Sequence, residues 1–178
     1  MFVEIGANDG VHMSNSWFFE KHLGWRGLCV EANPFVYRRL QANRPGCIKV
    51  NALVGPTSVG EEPHLPFLAF HRPEGVHKRG DAARDWETGL AGIESPHNAH
   101  KETRSLAAAK AFATRTGLLV ERTLLPVVSF ASLFEQNGIR HIDFLSVDVL
   151  RGTRSCHAAL LRTDLHTALL SKKQYSSP

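Results

Sequence analysis

The stretch FVEIGANDG, residues 2–10, decides the fold of this chain. Its first part is an apolar run of strand type that contains one acid, Glu4. Its second part, GANDG, is a turn bracketed by Gly6 and Gly10, which let the chain turn sharply and approach a ligand closely. A glycine turn directly after a buried strand is typical of nucleotide-like ligand sites in open α/β sheets.

The elements that follow this turn alternate between helix and strand. A helix over 15–23 ends at Gly24, a second strand covers 27–31, a helix runs from Asn33-Pro34 to about Asn43, and a third strand covers 47–54. Such short connections predict a parallel sheet with helices on its faces. The right-handed crossover rule then predicts the strand order third, second, first.

The rest of the chain divides into an insertion, a return to the sheet and a tail. We expect an irregular insertion over about 55–117, with short strands near 65–70 and a helix over 101–115. Beyond it we expect an extended segment over 118–128, a helix over 130–137 and a fourth strand over 142–148. We therefore assign 1–149 to one domain and 150–178 to an atypical C-terminal tail, whose one candidate element is a helix at 156–170.

Three features meet where the strands of such a sheet end. The first is the glycine turn, the second is Glu31 after the second strand, and the third is Asp148 after the fourth strand. Ligands bind beyond the carboxyl ends of the strands in open α/β sheets. A carboxylate at Glu31 can accept hydrogen bonds from both hydroxyls of a ribose.

The acid inside the turn favours one type of ligand over another. A dinucleotide site uses GxGxxG, so that backbone amides and a helix N-terminus meet a pyrophosphate. Here the spacing is GxxxG with Asp9 inside, and a carboxylate would repel a pyrophosphate. S-adenosylmethionine carries a sulfonium, an ammonium and a ribose, so the residues favour a methyl donor over NAD.

Four segments together resemble the FkbM-type methyltransferase family. They are FVEIGANDG (2–10), SNSWFFEKHLGWRGLCVEANPFVYRRL (14–40), CIKVNALVG (47–55) and IDFLSVDV (142–149). The resemblance covers roughly 2–55 and 118–149. It implies an α/β fold of Rossmann-like type, with three α/β/α layers and a mostly parallel sheet that is incomplete on its C-terminal side.

The resemblance also implies a cofactor and a set of site residues. Family members use S-adenosyl-L-methionine, and most methylate hydroxyl groups, which implies O-methylation of a sugar, a lipid or a natural product. The acceptor would be a small molecule or a glycan. The implied cofactor-binding residues are Glu4, Gly6, Ala7, Asn8, Asp9 and Gly10 on the methionine side, Glu31 and Ala32 at the ribose, and Asn51 and Ala52 near the adenine. Asp148 falls beside the methyl group and is the candidate catalytic residue.

The segment after Asp148 departs from the family pattern. Family members continue as Asp-Val-Glu-Gly, whereas Asp148-Val149 is followed here by Leu150-Arg151-Gly152. No strand-like run follows, so we expect the sheet to lack its C-terminal half and the fourth strand to have an unpaired edge, unless 156–170 covers it. An altered reading frame or a truncated gene model would explain this change. A catalytically dead, cofactor-binding fragment is one alternative to the enzyme, and a nicotinamide-dependent oxidoreductase is another.

Composition excludes several other classes. The chain has 178 residues and a net charge of +4 without a block of like charges, which argues against a nucleic-acid partner. No apolar run is long enough to span a membrane, and no signal peptide precedes the first strand, so the default expectation is a cytoplasmic protein. The oligomeric state is open.

The cysteines and histidines suggest no metal site. The cysteines, Cys29, Cys47 and Cys156, include no CxxC pair and fit a reducing compartment, and the first two are expected in the core. His12 lies beside the turn and is expected to face solvent. The histidines of the insertion match no ligand spacing, although one of them could act as a general base: His64, His71, His77, His97 and His100.

Overall fold

The computed structural model describes residues 1–57, 63–73, 91–94, 106–148 and 170–172. Its strands are β1 (Phe2–Ile5), β2 (Gly27–Val30), β3 (Ile48–Val50), β4 (Leu53–Val54), β5 (His64–His71), β6 (Gly92–Ile93), β7 (Leu119–Val128), β8 (Phe144–Val147) and β9 (Leu170–Lys172). Its helices are α1 (Trp17–Leu23), α2 (Pro34–Asn43), α3 (Leu106–Thr116) and α4 (Phe130–Gln136).

Five strands form a parallel sheet in the order β3-β2-β1-β8-β9. The predicted order of the first three strands is confirmed. β1 lies in the centre and every one of its residues is buried. The α/β class with a parallel sheet is therefore confirmed.

Helices cover both faces of this sheet. Successive side chains of a strand point to opposite sides, so the apolar residues of β1 must be buried on both faces. On one face, Val3 and Ile5 pack with Leu133 and Phe134 of α4. On the other face, Phe2 and Leu40 of α2 belong to one buried cluster, and Phe19 of α1 packs against that cluster. The sheet thus forms the middle of three layers.

A second sheet has the order β4-β7-β5-β6. Its strand β5 contacts the first turn of α2, where the rings of His71 and Phe35 stack with their centroids 3.8 Å apart. β5 pairs antiparallel with β7 over its whole length, from His64 to His71. One face of this sheet packs on α3 through Phe70 and Phe112, whose rings meet edge to face at 5.4 Å. In the described part of the insertion, the strand predicted near 65–70 corresponds to β5, and the helix predicted over 101–115 corresponds to α3.

Two expectations about the strands were wrong. The predicted strand 47–54 is two strands: the chain breaks at Asn51-Ala52, and β4 pairs with β7 of the second sheet. β9 pairs parallel with β8, so a strand does follow residue 149 and the edge of β8 toward it is paired. Residues 149–169, and with them almost all of the candidate helix 156–170, lie outside the described residues. In the described part of the chain, no helix has the length and apolar character required to cross a membrane.

Candidate functional site

The candidate site lies at the carboxyl edge of the parallel sheet. The turn residues at this edge are Asn51 after β3, Glu31 after β2, Gly6 after β1 and Asp148 after β8. Because these four strands are parallel neighbours, their following residues lie side by side along one edge. The sequence-predicted acids Glu31 and Asp148 therefore flank the glycine turn.

Gly6 permits the close approach of two of these turns. Its φ is +82°, and a Cβ atom placed on it would lie 2.0 Å from the carbonyl oxygen of Asp148. The amide of Asp148 in turn donates to the carbonyl oxygen of Ile5 at 2.8 Å. Any side chain at position 6 would force these turns apart and open the edge.

The backbone amides of the glycine turn donate their hydrogen bonds to other groups of the protein. Gly6 and Ala7 both donate to the carbonyl oxygen of Val30 at 2.9 Å, and Gly10 donates to Ala7 at 2.9 Å. Asn8, at φ +51°, donates to a carboxylate oxygen of Glu31 at 2.9 Å. A phosphate cradle needs such amides aimed at the ligand. This turn is therefore unlike a pyrophosphate site.

Asp9 is buried and serves the turn itself, although the sequence suggested a contact with a cationic ligand. One of its carboxylate oxygens accepts the amides of Val11 at 3.0 Å and of His12 at 2.8 Å. The other oxygen lies 2.8 Å from Nδ1 of the His12 ring. Burial raises the pKa of Asp9, but these hydrogen bonds outweigh burial and hold the pKa below its usual value.

Glu4 lies beneath the turn, where it is 1% exposed. Its carboxylate accepts hydrogen bonds from the hydroxyls of Ser14 at 2.8 Å and Ser16 at 2.6 Å, and from the amide of Asn15 at 2.6 Å. The hydroxyl oxygen of Ser14 also accepts the amide of Trp17, the first residue of α1, at 3.0 Å. Glu4 therefore anchors the segment between the turn and α1.

Glu31 combines burial with two backbone donors. Its carboxylate oxygens accept the amides of Asn8 at 2.9 Å and Asn33 at 2.8 Å. The residue as a whole is half-buried, but the surrounding protein removes water from the carboxyl group and raises its pKa to about 7, against the opposing effect of the amides. Each oxygen retains lone pairs for a ligand hydroxyl.

The remaining predicted residues differ in their bonding and burial. The side-chain amide of Asn51 donates to the carbonyl oxygens of Glu31 at 2.7 Å and Ala32 at 2.9 Å. Ala7 and Ala52 are buried in the core, so neither presents a side chain to a ligand. Ala32 is half-buried, as is Asp148.

The sequence model of the Methyltransferase FkbM domain matches residues 4–149. The chain belongs to the FkbM methyltransferase family. No curated protein and no solved structure matches the chain.

One central residue of the candidate site, Arg44, was not predicted from the sequence. It caps the end of α2, its side chain is 1% exposed, and its guanidinium donates to Glu20 at 2.6 Å, to the carbonyl oxygen of Gly10 at 2.9 Å, and to the hydroxyls of Ser14 and Ser16 at 3.0 Å. It lies 3.9 Å from Glu4. Glu4 could have indicated such a residue in the sequence, because a carboxylate in a buried strand requires hydrogen-bond donors or a cation.

Replacing Arg44 is expected to destabilise the whole domain. Arg44→Met leaves buried Glu4 and half-buried Glu20 without their cation, which costs roughly 3–5 kcal/mol of unfolding free energy. Arg38→Met, on the same helix but exposed, is the control and should cost less than about 1 kcal/mol. Urea denaturation followed by circular dichroism measures both, and equal losses in the two variants would contradict a structural role for the Arg44 network.

Proposed function

We propose that this chain is an S-adenosyl-L-methionine-dependent methyltransferase that methylates a hydroxyl group of a small molecule, lipid or glycan. Membership of the FkbM methyltransferase family supports methyl transfer in general. The observation that carries the choice of cofactor is the orientation of the turn. The amides of the turn donate hydrogen bonds to groups of the protein, and Glu31 adds a carboxylate at the end of the adjacent strand.

The donors and acceptors at the edge match the chemistry of this cofactor. Ribose hydroxyls donate hydrogen bonds, and the lone pairs that remain on Glu31 can accept them. A pyrophosphate would require free hydrogen-bond donors. The backbone amides of Gly6, Ala7 and Asn8 already bond to Val30 and Glu31. These observations support S-adenosylmethionine over a nicotinamide dinucleotide.

We assign the predicted residues to two groups. Gly6, Asn8, Glu31 and Ala32 would contact the cofactor, because they border the edge and are not fully buried. The others would position these groups from behind, because their side chains are buried or bonded within the protein: Glu4, Ala7, Asp9, Asn51 and Ala52. Gly10 contributes its carbonyl oxygen to Arg44 and so fixes the end of the turn.

Asp148 would act on the acceptor. When bound, the cofactor supplies an electrophilic methyl group. Asp148 lies at the end of β8, next to Gly6, where its carboxylate would orient the acceptor hydroxyl and take its proton. The bond between the acceptor oxygen and the methyl carbon would form as the bond from that carbon to sulfur breaks, with S-adenosylhomocysteine as the leaving group. His12, whose side chain is 46% exposed and whose ring is held by Asp9, is a further group near the turn that can accept a proton.

Binding of S-adenosylhomocysteine tests the choice of cofactor. We expect calorimetry to detect binding of S-adenosylhomocysteine and no binding of NAD. The amides of the turn remain paired within the protein, so the dinucleotide gains no donors for its phosphates. Tight NAD binding with no response to S-adenosylhomocysteine would overturn the proposal in favour of an oxidoreductase.

The raised pKa of Glu31 predicts that cofactor affinity depends on pH. Only the ionised carboxylate accepts from both ribose hydroxyls, so affinity for S-adenosylhomocysteine should rise as the pH passes through about 7 and level off above it. Below that pH the affinity should fall by up to about tenfold per pH unit. Glu31→Gln should bind weakly without this pH dependence, while Glu135→Gln, the same change on the exposed side of α4, should behave as wild type. A wild-type affinity that is flat between pH 6 and 8 would contradict this role of Glu31.

Transfer of a labelled methyl group tests catalysis. We expect the chain to move label from S-adenosylmethionine into a glycan or lipid extract, and Asp148→Asn to reduce the rate by about 10²–10⁴-fold while cofactor binding is kept. Asp143→Asn is the matched control, since Asp143 precedes β8 at its opposite end. Cofactor binding without any transfer to sugar or lipid extracts would favour the alternative of a catalytically dead cofactor-binding fragment.

A further inference from the structure

The first helix leaves an apolar surface exposed. In the described part of the chain, eight large apolar side chains are exposed, and four of them lie close together in the sequence: Val11, Met13, Phe18 and Leu23. We call residues 11–26 the α1 surface. No residue of α1 is fully buried.

The helix is attached to the domain by one side. Phe19 stacks on Trp25 at 4.9 Å and lies 4.7 Å from the ring of Phe144, and Glu20 is bonded to Arg44. On the outer side, the His22 ring contacts the rings of Trp17 at 5.4 Å and Phe18 at 5.2 Å. The outer side therefore carries a connected aromatic cluster that is exposed to water at Phe18 and His22.

The charges around this cluster have one sign. The three acids among the first thirty residues are Glu4, Asp9 and Glu20, and all three are bonded within the protein, with side chains 2%, 6% and 15% exposed. The charged side chains that remain exposed in residues 11–26 are cationic, Lys21 and Arg26, beside the exposed histidines His12 and His22. The α1 surface therefore combines apolar side chains with positive charge.

The exposed apolar residues of β7 lack this combination. Leu119 and Leu124 are 46% and 59% exposed, and their strand carries exposed charges of both signs, since the side chains of Glu121 and Arg122 are 60% and 50% exposed. General exposure of apolar groups thus does not account for the α1 surface.

We propose that the α1 surface docks this protein onto an anionic lipid surface. Phe18 and Leu23 would enter the boundary between headgroups and acyl chains, and Trp17 is of the type enriched at that depth. Lys21 and Arg26 would meet lipid phosphates, each contributing about fivefold in affinity at a negatively charged surface. A second copy of this chain fits less well, because pairing like surfaces would bring the same cations together.

The proposal does not rest on methyl transfer, and its test measures lipid binding alone. Sedimentation with phosphatidylcholine vesicles, with and without phosphatidylglycerol, should show strong binding only with phosphatidylglycerol, weakening as salt is added. The Phe18→Glu/Leu23→Glu variant should lose at least roughly tenfold in vesicle affinity, because it removes two apolar groups from the contact. The Lys21→Gln/Arg26→Gln variant should lose roughly tenfold to thirtyfold on the anionic vesicles.

A matched control separates the surface from net charge. Leu119→Glu/Leu124→Glu adds the same two acids at equally exposed apolar positions on β7, so it should lose only what the lower net charge costs. Melting curves establish that each variant is folded, and the glutamine variant keeps the test decisive if Phe18→Glu/Leu23→Glu unfolds.

Three outcomes would overturn the proposal. The first is that the wild type binds both kinds of vesicle equally, or binds neither. The second is that the β7 control loses as much vesicle affinity as Phe18→Glu/Leu23→Glu. The third is that the wild type is a dimer, which Phe18→Glu/Leu23→Glu converts to a monomer without changing vesicle binding. The last outcome would make the α1 surface a contact between copies of the chain.

Discussion

A carboxylate in the central strand of a buried sheet is the constraint on which this structure depends. Burying the charge of Glu4 is costly unless hydrogen bonds replace its water. Two serine hydroxyls and one backbone amide replace it, and Arg44 supplies the opposite charge through the same serines. Because Arg44 also holds the carbonyl oxygen of Gly10, satisfying Glu4 fixes the far end of the glycine turn. The near end is fixed by Gly6, whose missing side chain lets the turn rest on Asp148.

With both ends fixed, the turn lies beside the carboxyl group of Glu31, which accepts the amide of Asn8. The carboxyl group of Glu31 is the informative case, because its folded pKa of about 7 lies above its ordinary value. Such a group favours folding below the ordinary value and loses that contribution as pH rises through about 7, since the protein must then bury a charge. At neutral pH and above, Glu31 therefore costs stability, roughly 3 kcal/mol from the size of the shift. A carboxyl group that costs stability in this way, at the edge where α/β sheets bind ligands, is typical of a binding site.

Local sequence patterns predicted the first half of the sheet because its elements are set by nearby residues. Apolar runs bounded by Gly24, Asn33-Pro34 and Pro45-Gly46 give β1, α1, β2, α2 and β3, and the crossover rule gives their order. The break at Asn51-Ala52 was missed because the apolar run continues through it, while the change of sheet is decided by pairing with β7, far along the chain. Arg44 was missed for the same reason, since its partners come from α1, the glycine turn and β1. The site was predicted as a set of residues, but the division between edge residues and supporting residues required the three-dimensional contacts.

The same constraint that builds the site also determines the outer surface of α1. Glu20 turns inward because buried Arg44 needs a carboxylate at 2.6 Å, and Asp9 turns inward because the backbone of the turn needs an acceptor. Each acid used in this way is removed from the surface, while Lys21, Arg26 and the aromatic rings of α1 remain outside. Ser14 and Ser16, which precede α1, are bonded to Glu4 of β1, so the N-terminal end of α1 lies on the side of the candidate site. The carbonyl oxygen of Arg26 accepts the amide of Phe2, so the chain after α1 returns to the opposite edge of the sheet. The positive, apolar character of α1 therefore follows from how the interior acids are used.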